Sequence, residues 1–332
     1  MKGIQVNRFQ QFEKFIELDG KQARYYDFSS LGSDFSSLSS DFSSSSSNLS
    51  STNSKVAVTA SNDKPCAHFY GGNGFAAGVY QPLIFELSQQ FDMSSLAMRG
   101  YWPDLPTAKV LTREQDADLL IEFLERTQSK PVIGIGHSQG ATATAIAAAK
   151  RPDLFAALYL IDPVTFTKKQ TLLYNRTPRL ILQTQEPFKS TRVKQADWES
   201  VDAYYQDLRQ RRAFKRISDT NLRIFAENSL VAKKEGESGF TLLFKPKQEL
   251  ASYYGTPYIT PALKKLNKKK LPYYLILAKP SIFNSEKVRQ SWKGVVSIQN
   301  RIVLSDYGHL LPIEAPKACA EVIVNFEHSR VK

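Results

Sequence analysis

Residues 134–141 read GIGHSQGA and place one serine, Ser138, two positions from a glycine on each side. A serine hydroxyl can attack an electrophilic carbon, but at neutral pH it is a weak nucleophile. It needs a general base, most often a histidine, and that histidine is usually oriented by a carboxylate. The G-x-S-x-G spacing therefore points to nucleophilic chemistry only if the rest of the chain supplies these partners.

The residues that flank Ser138 predict the backbone on which it sits. Residues 131–135 form a short apolar run rich in β-branched side chains, typical of a strand buried on both faces. Residues 141–150 are rich in alanine and favour a helix. Gly136 and Gly140 allow a sharp strand-to-helix turn that exposes the hydroxyl near the positive end of the helix. This context favours a nucleophile elbow, although G-x-S-x-G also occurs as an ordinary turn.

One of the four histidines is placed to act as the base. His309 follows a predicted strand at 301–304, in a loop at the carboxyl end of that strand, where open α/β sheets place active sites. His137 belongs to the predicted elbow, His68 to a predicted buried strand, and His328 to the C-terminal end. We therefore expect His309 to serve Ser138, with a structural histidine as the alternative.

A glycine-rich loop follows the first predicted core strand at 66–70. It reads GGNGF over residues 71–75, and its glycines would let backbone N–H groups converge on one point. We expect the N–H groups of Asn73 and Gln139 to form an oxyanion hole. A phosphate-binding loop is the rival interpretation, but the stretch lacks the Lys-Ser/Thr pair of a P-loop and the spacing of a dinucleotide fingerprint.

Composition limits the class of protein. The chain has 332 residues, 42% of them hydrophobic, and no apolar run approaches the ~20 residues of a membrane span. The N-terminus lacks the apolar region of a signal peptide, and the two cysteines, Cys66 and Cys319, fit a reduced cytoplasm. The net charge is +12, with basic clusters at 209–216 and 264–270. We interpret these clusters as solvated surface that could favour anionic substrates or membrane surfaces, and we expect no nucleic-acid partner.

Strands and helices alternate from residue 64 onward, which predicts a mostly parallel sheet. Predicted strands occupy 66–70, 93–98, 131–135, 156–161, 240–244, 273–278 and 301–304, and predicted helices occupy 112–127, 141–150 and 198–215. We divide the chain into an N-terminal hairpin (1–27), a serine-rich disordered insertion (28–62), a first part of the core (63–165), a cap (166–270) and a second part of the core (271–332). The insertion contains a seven-residue repeat that is too polar for a coiled coil.

Five short stretches resemble, in chain order, the motifs of the α/β-hydrolase superfamily. They are GGNGF at 71–75, RGYWP at 99–103, GHSQGA at 136–141, LIDPV at 160–164 and YGHLLP at 307–312. The resemblance covers residues 12–27 and 63–326. It implies a mostly parallel sheet with helices on both faces and an inserted, mainly helical cap. It departs from the family at Gly71, where the family usually has a histidine.

The resemblance also implies an activity. It implies hydrolysis of an ester, thioester or related acyl bond through an acyl-enzyme, with no metal and no cofactor. The substrate would be a small molecule with an apolar acyl or aryl group, since the predicted cap is rich in aromatic residues. C–C bond hydrolysis, acyl transfer, or ligand binding without catalysis are the alternatives on the same fold, and the oligomeric state stays open.

The acidic partner of His309 is the open question. In the family it usually follows the strand equivalent to 273–278, but here that loop has no carboxylate before Glu286. Asp162 ends the strand next to that of Ser138, so its carboxylate should lie at the same edge of the sheet. Some lipases of the superfamily carry their acid in a similar Leu-Asp-Pro context. We predict Asp162, with Glu286, Asp306 or a Ser–His dyad as alternatives.

Overall fold

The computed structural model describes residues 8–29, 64–234 and 236–331. The serine-rich insertion predicted over 28–62 therefore lies, from residue 30 onward, outside the described residues. Its first residue, Phe28, is buried, and its N–H donates to the carbonyl of Met93 at 2.9 Å. The Phe28 ring packs against Phe9 and Phe12. The packed core thus extends through Phe28.

Eleven strands within the described residues form two sheets. The strands are β1 (Glu13–Leu18), β2 (Lys21–Asp27), β3 (Cys66–Tyr70), β4 (Asp92–Leu96), β5 (Val132–His137), β6 (Phe155–Ile161), β7 (Asp197–Trp198), β8 (Leu230–Ala232), β9 (Phe240–Leu242), β10 (Tyr273–Lys279) and β11 (Arg301–Ser305). The larger sheet has the order β1-β2-β4-β3-β5-β6-β10-β11. Its strands are parallel from β4 to β11, while β1 and β2 form an antiparallel hairpin that joins β4 through β2.

Thirteen α-helices lie in the described ranges. They are α1 (Gln81–Ser88), α2 (Arg113–Thr127), α3 (Gln139–Lys150), α4 (Lys168–Arg176), α5 (Arg179–Leu182), α6 (Phe188–Arg192), α7 (Val201–Gln210), α8 (Asp219–Ser229), α9 (Pro246–Tyr253), α10 (Thr260–Lys269), α11 (Glu286–Ser291), α12 (Leu311–Glu314) and α13 (Pro316–Val331). Helix α2 begins at a capping box, in which Thr112 and Gln115 satisfy each other's backbone N–H groups.

The helices cover the larger sheet in two layers. The chain runs from β3 to β4 in one direction along the sheet and then back past β3 to β5. Because parallel crossovers are right-handed, this reversal puts α1 and α2 on opposite faces. Helix α13 packs against α1, and α3 packs against α2 and α10. All six residues of β5 are therefore buried, as a strand covered on both faces requires.

Between β6 and β10 the chain leaves the larger sheet. Helices α4 to α10 and the small antiparallel sheet β7-β9-β8 occupy this insertion. The helix predicted over 198–215 is shorter in the structure: Trp198 pairs with Phe240 as part of β7, and Ser200 then caps the start of α7, which ends at Gln210. The strand predicted over 240–244 is shorter in the structure, because only Phe240–Leu242, which form β9, pair with β7 and β8.

The carboxyl ends of the parallel strands meet at one edge of the sheet. The loops after β3, β5, β6, β10 and β11 carry, respectively, Asn73, Ser138, Asp162, Ser281 and His309. This topology brings together side chains that are up to 236 positions apart in sequence (309 minus 73).

Candidate active site

Ser138 occupies the turn between β5 and α3 in a backbone conformation that few non-glycine residues adopt. Its φ is +58° and its ψ is −122°. Such a conformation costs on the order of 1–3 kcal/mol and persists only where the surroundings impose it. Here the Ser138 N–H donates to the Ile161 carbonyl at 3.0 Å, and the Ser138 carbonyl accepts the Val164 N–H at 3.2 Å. Neighbouring backbone from the end of β6 thus holds the turn in place.

The two glycines around Ser138 are required by close backbone contacts. A Cβ atom at Gly140 would overlap the carbonyl oxygens of Tyr70 and Gly71. A Cβ atom at Gly136 would lie 2.6 Å from the Cα of Ala141, inside van der Waals contact. Gly140 therefore lets the turn pack directly against the end of β3, where the glycine-rich loop begins, and Gly136 lets β5 lie close to the first turn of α3.

Ser138, His309 and Asp162 form one continuous chain of hydrogen bonds. The Ser138 Oγ lies 2.9 Å from the Nε2 of His309, and the His309 Nδ1 lies 2.7 Å from the Oδ2 of Asp162. Ser138 is 6% exposed, the His309 side chain is 28% exposed, and the Asp162 side chain is fully buried. The imidazole thus bridges the Ser138 hydroxyl and a carboxylate in the interior, which is the arrangement that lets histidine take a proton from serine.

Asp162 is held by more than the imidazole. Its Oδ1 accepts the N–H of Ala278 at 3.2 Å, and its Oδ2 accepts the hydroxyl of Ser281 at 2.6 Å. A buried carboxylate is tolerable only when its oxygens are hydrogen-bonded, and these donors from β10 and its following loop meet that need. The sequence shows that this loop lacks a carboxylate, but it did not identify Ser281 as a partner of Asp162. The Ser281 hydroxyl donates to the Asp162 carboxylate at the end of the neighbouring strand.

The two alternative acids, Glu286 and Asp306, are both exposed in the structure. Glu286 is exposed at the start of α11, where its carboxylate contacts Arg289 at 2.6 Å and Gln290 at 2.6 Å. Asp306 is exposed and has a φ of +72°, and its N–H donates to the carbonyl of Lys279. The Nδ1 of His309 is occupied by Asp162 instead.

The loop of His309 is also held by the carboxylate of Glu314. The N–H of Gly308 donates to the Oε2 of Glu314 at 2.6 Å. Burial raises the pKa of the Glu314 carboxyl, while this N–H and the nearby Arg216 and His309 act in the opposite direction. The contact between Gly308 and Glu314 ties the loop to α12 immediately behind it.

Asn73 and Gln139, the predicted oxyanion-hole residues, are both buried beneath helix α9. Gln139 is the first residue of α3, where a helix leaves its backbone N–H groups without an intrahelical acceptor. Its side-chain Oε1 accepts the Ser252 hydroxyl at 2.8 Å. The Asn73 Nδ2 donates to the carbonyl of Glu249 at 3.1 Å. One helix of the insertion therefore holds both side chains.

Helix α9 is itself held by a buried ion cluster that sequence reasoning missed. The Nη2 of Arg113 donates to the Ser252 hydroxyl at 2.7 Å and contacts Asp116 at 2.8 Å. Asp116 also contacts Arg99 at 2.6 Å. Arg113 and Asp116 lie in the first turn of α2 and are buried, whereas arginine and aspartate side chains usually face water. The sequence offered no signal that this turn would be buried.

Two of the other histidines lie outside the hydrogen-bonded chain of Ser138, His309 and Asp162. His68 is fully buried in β3, and its Nε2 accepts the Leu96 N–H at 2.9 Å. Burial lowers the pKa of His68 to about 3, so it stays neutral and structural, as expected. His328 lies exposed near the end of α13.

The family model for the alpha/beta hydrolase family matches residues 66–322, well over half of the chain. The protein belongs to the alpha/beta hydrolase family. The match spans β3 to α13 and so includes the loops of Asn73, Ser138, Asp162 and His309. The resemblance inferred from the sequence motifs is thereby confirmed, as is the fold.

Relatives of the alpha/beta hydrolase chain agree with this assignment. It is similar to the uncharacterized hydrolase YugF of Bacillus subtilis, with 23% identity over 270 residues, 79% of this chain and 88% of the relative. Among solved structures it is similar to E-2-(acetamidomethylene)succinate hydrolase, with a TM-score of 0.70, 17% identity, and coverage of 95% of this chain and 98% of that one. An esterase from Mycobacterium tuberculosis gives a TM-score of 0.65, 12% identity, and coverage of 95% and 91%. At these identities the solved structures establish a shared fold.

Two further findings concern residues 8–29, 64–234 and 236–331. None of the helices there is both long enough and apolar enough to cross a membrane. In the same ranges, no group of three or more histidine, cysteine, aspartate or glutamate side chains is arranged to hold a metal ion.

Proposed function

We propose that this protein is a serine hydrolase that cleaves a carboxylic ester or a related acyl bond through an acyl-enzyme. The observation that carries the proposal is the unbroken hydrogen-bonded chain from the Ser138 hydroxyl through His309 to Asp162, at 2.9 and 2.7 Å. The strained backbone at Ser138 supports it, because strain of this kind collects at functional sites. A protein that only bound a ligand would need neither feature.

In the proposed reaction each group has its own step. The Nε2 of His309 takes the hydroxyl proton as the Ser138 Oγ attacks the carbonyl carbon, and the carbonyl oxygen becomes an oxyanion. His309 then gives that proton to the departing alkoxide, which leaves Ser138 acylated. Water repeats the cycle: its proton passes to His309, its oxygen attacks the acyl carbon, and Ser138 recovers the proton as the acid departs.

Asp162 and the two backbone N–H groups act on the charges that form during these steps. The carboxylate of Asp162 holds the His309 ring in the tautomer with Nε2 free to accept a proton, and it stabilises the imidazolium that follows. The N–H groups of Asn73 and Gln139 would donate to the oxyanion. Removing one donor of this kind typically costs about 10²–10³ in kcat.

The surroundings of the site favour a small substrate with an apolar acyl or aryl group. The Phe283 ring lies 4.8 Å from the His309 ring, centroid to centroid. Phe75, in the oxyanion loop, packs edge-on against Phe225 of α8. Two half-buried aromatic side chains thus lie near the reacting groups, one beside the His309 ring and one in the loop of Asn73.

Active-site labelling tests the proposal directly. Ser138→Ala should fold normally, lose reaction with a fluorophosphonate probe and lose hydrolysis of a panel of aryl esters. Ser88→Ala is a matched control, since that buried hydroxyl donates to the Ile84 carbonyl within α1 and should leave both signals unchanged. A Ser138→Ala protein that keeps most of its turnover would refute the assignment. Turnover of β-diketones but not of esters would favour C–C bond hydrolysis instead.

We also propose a cytoplasmic location. The chain has only two cysteines, Cys66 and Cys319, and Cys319 is buried in the core. A low cysteine content is typical of proteins of reducing compartments, where disulfides rarely persist.

A further inference from the structure

A second chain of hydrogen bonds runs behind the reacting groups and uses side chains with no part in the proposed chemistry. The N–H of Gly72 lies 2.9 Å from the hydroxyl of Tyr80, and that hydroxyl lies 2.8 Å from the Nδ1 of His137. The Nε2 of His137 lies 2.8 Å from the backbone carbonyl of His309. Tyr80 and His137 are both fully buried. This relay joins the oxyanion loop to the residue that serves as the base.

The direction of every hydrogen bond in the relay follows from elementary constraints. A carbonyl only accepts, so the Nε2 of His137 carries a proton and donates it to His309. Burial and the nearby His309 lower the pKa of His137 well below its usual value, so the ring is neutral and its Nδ1 is an acceptor. The Tyr80 hydroxyl therefore donates to Nδ1, and its oxygen accepts the N–H of Gly72. All four groups are satisfied in a single arrangement.

Tyr80 also occupies the space beside Gly71. A Cβ atom at Gly71 would lie 2.9 Å from the Cε2 of the Tyr80 ring. A Cβ atom at Gly72 would lie 3.1 Å from the Tyr80 hydroxyl and 3.3 Å from the Nδ1 of His137. The glycine pair and the tyrosine thus fit each other, and a larger side chain at 71 would displace the ring.

We propose that Tyr80 and His137 are positioning residues that fix the oxyanion loop against the backbone of His309. Because the N–H of Gly72 already donates to Tyr80, it does not donate to the substrate. The next N–H, that of Asn73, is then the one that donates to the oxyanion. The relay thereby sets the distance between the oxyanion donor and the base. This inference rests on the proposed function, because it assigns the relay a role in that reaction.

Tyr80→Phe tests the relay, because it removes the hydroxyl and keeps the ring. We expect kcat for an aryl ester to fall about tenfold to a hundredfold, less than the ~10²–10³ of a lost oxyanion donor, with KM changed less than twofold. Tyr159→Phe is the matched control: its buried hydroxyl donates to Glu327 at 2.7 Å, outside the proposed active site. It should lower the urea midpoint as Tyr80→Phe does and leave kcat unchanged.

A double-mutant cycle separates positioning from a general loss of stability. In His137→Gln the amide can still donate to the His309 carbonyl, but it offers no acceptor at the place of Nδ1. We expect kcat of this variant to fall about as much as that of Tyr80→Phe. The double variant should lose little more, because both changes remove the same hydrogen bond, between the Tyr80 hydroxyl and the Nδ1 of His137. Multiplicative losses, or a Tyr80→Phe enzyme with unchanged kcat, would overturn the relay.

These outcomes stand apart from a failure of the proposed function itself. If the unmodified protein reacted with neither the fluorophosphonate probe nor any ester, the proposed function would fail before the relay could be measured. If the unmodified protein is active and Tyr80→Phe loses kcat only in proportion to its loss of folded protein, the relay alone is refuted.

Discussion

At the scale of single residues, the acid is the member of the site with the sharpest test. Asp162 accepts hydrogen bonds from His309, Ser281 and the N–H of Ala278. Asp162→Asn would put an amide NH₂ among these donors and would disfavour the tautomer that leaves Nε2 unprotonated. We expect kcat to fall by up to about 10⁴, as measured with an aryl ester under saturating conditions.

Substitutions at the two alternative acids complete that comparison. Glu286→Gln and Asp306→Asn should each cost less than tenfold in kcat, because both carboxylates are exposed and neither touches the His309 ring. An Asp162→Asn enzyme with near-normal turnover, together with an inactive Glu286→Gln enzyme, would return the acid to the family's usual strand.

The sequence predicted the members of this chain better than their contacts. Ser138 and His309 were identifiable because a glycine-flanked serine and a histidine after a strand are local patterns. Asp162 could be placed at the correct edge of the sheet, but its orientation depends on Ser281, which lies 119 positions away. The relay through Tyr80 and His137 was not predicted, since its partners meet only when β3, β5 and β11 are assembled.

At the scale of elements, helix α9 links the insertion to the proposed oxyanion hole. Ser252 donates to the side chain of Gln139 and accepts from the buried guanidinium of Arg113. Ser252→Ala would break both bonds and leave a buried charge with one partner fewer. We expect a loss of about 1–3 kcal/mol in the free energy of unfolding, and a fall in kcat of several-fold because Gln139 is less constrained.

The control for this change is a serine in the neighbouring helix. The Ser229 hydroxyl donates to the carbonyl of Phe225 within α8 at 2.7 Å. Ser229→Ala should therefore lower stability without a matching fall in kcat, as measured by urea unfolding and steady-state kinetics. Equal kinetic behaviour of the two variants would show that α9 only packs against the site.

Elements of the sheet were predictable from sequence to within a few residues, whereas most of those in the insertion were not. Strands such as β6 and β10 are continuous apolar runs, so burial on both faces is visible in their composition. The stretch 198–215 has a helical composition, but Trp198 pairs with Phe240 across 42 positions (240 minus 198). Pairing over such a distance overrides local propensity and leaves no periodic signal.

At the scale of the whole molecule, part of the positive charge is structural. In the basic cluster at 209–216, the guanidinium of Arg209 contacts Asp219 at 2.6 Å and donates to the Ile217 carbonyl at 2.9 Å. The lysines of the second cluster are exposed along α10 and just after it. The first cluster therefore helps to join α7 to α8, while the second is a solvated surface, as its composition indicated.

The residues on either side of 30–63 are held close together by hydrogen bonds to β4. The contribution of residues 30–63 to stability can therefore be tested by replacing them with a short linker. The N–H of Phe28 donates to the carbonyl of Met93, and the carbonyl of Pro65 accepts the N–H of Asp92. Because β2 and β3 flank β4, these anchors are separated by roughly two strand spacings, or about 10 Å. A linker of about five residues can span that distance.

Replacing residues 31–62 with such a Gly-Ser linker should change the Tm by less than about 2 °C and leave kcat/KM unaltered, because loop length enters stability only logarithmically. The matched control begins the same deletion at Phe28. That version removes a buried ring packed against Phe9 and Phe12, and it should cost about 3–5 kcal/mol by the usual penalty for a lost aromatic core residue. Calorimetry distinguishes the two versions. A large drop in Tm for the 31–62 replacement itself would mean that this segment contributes packing to the fold.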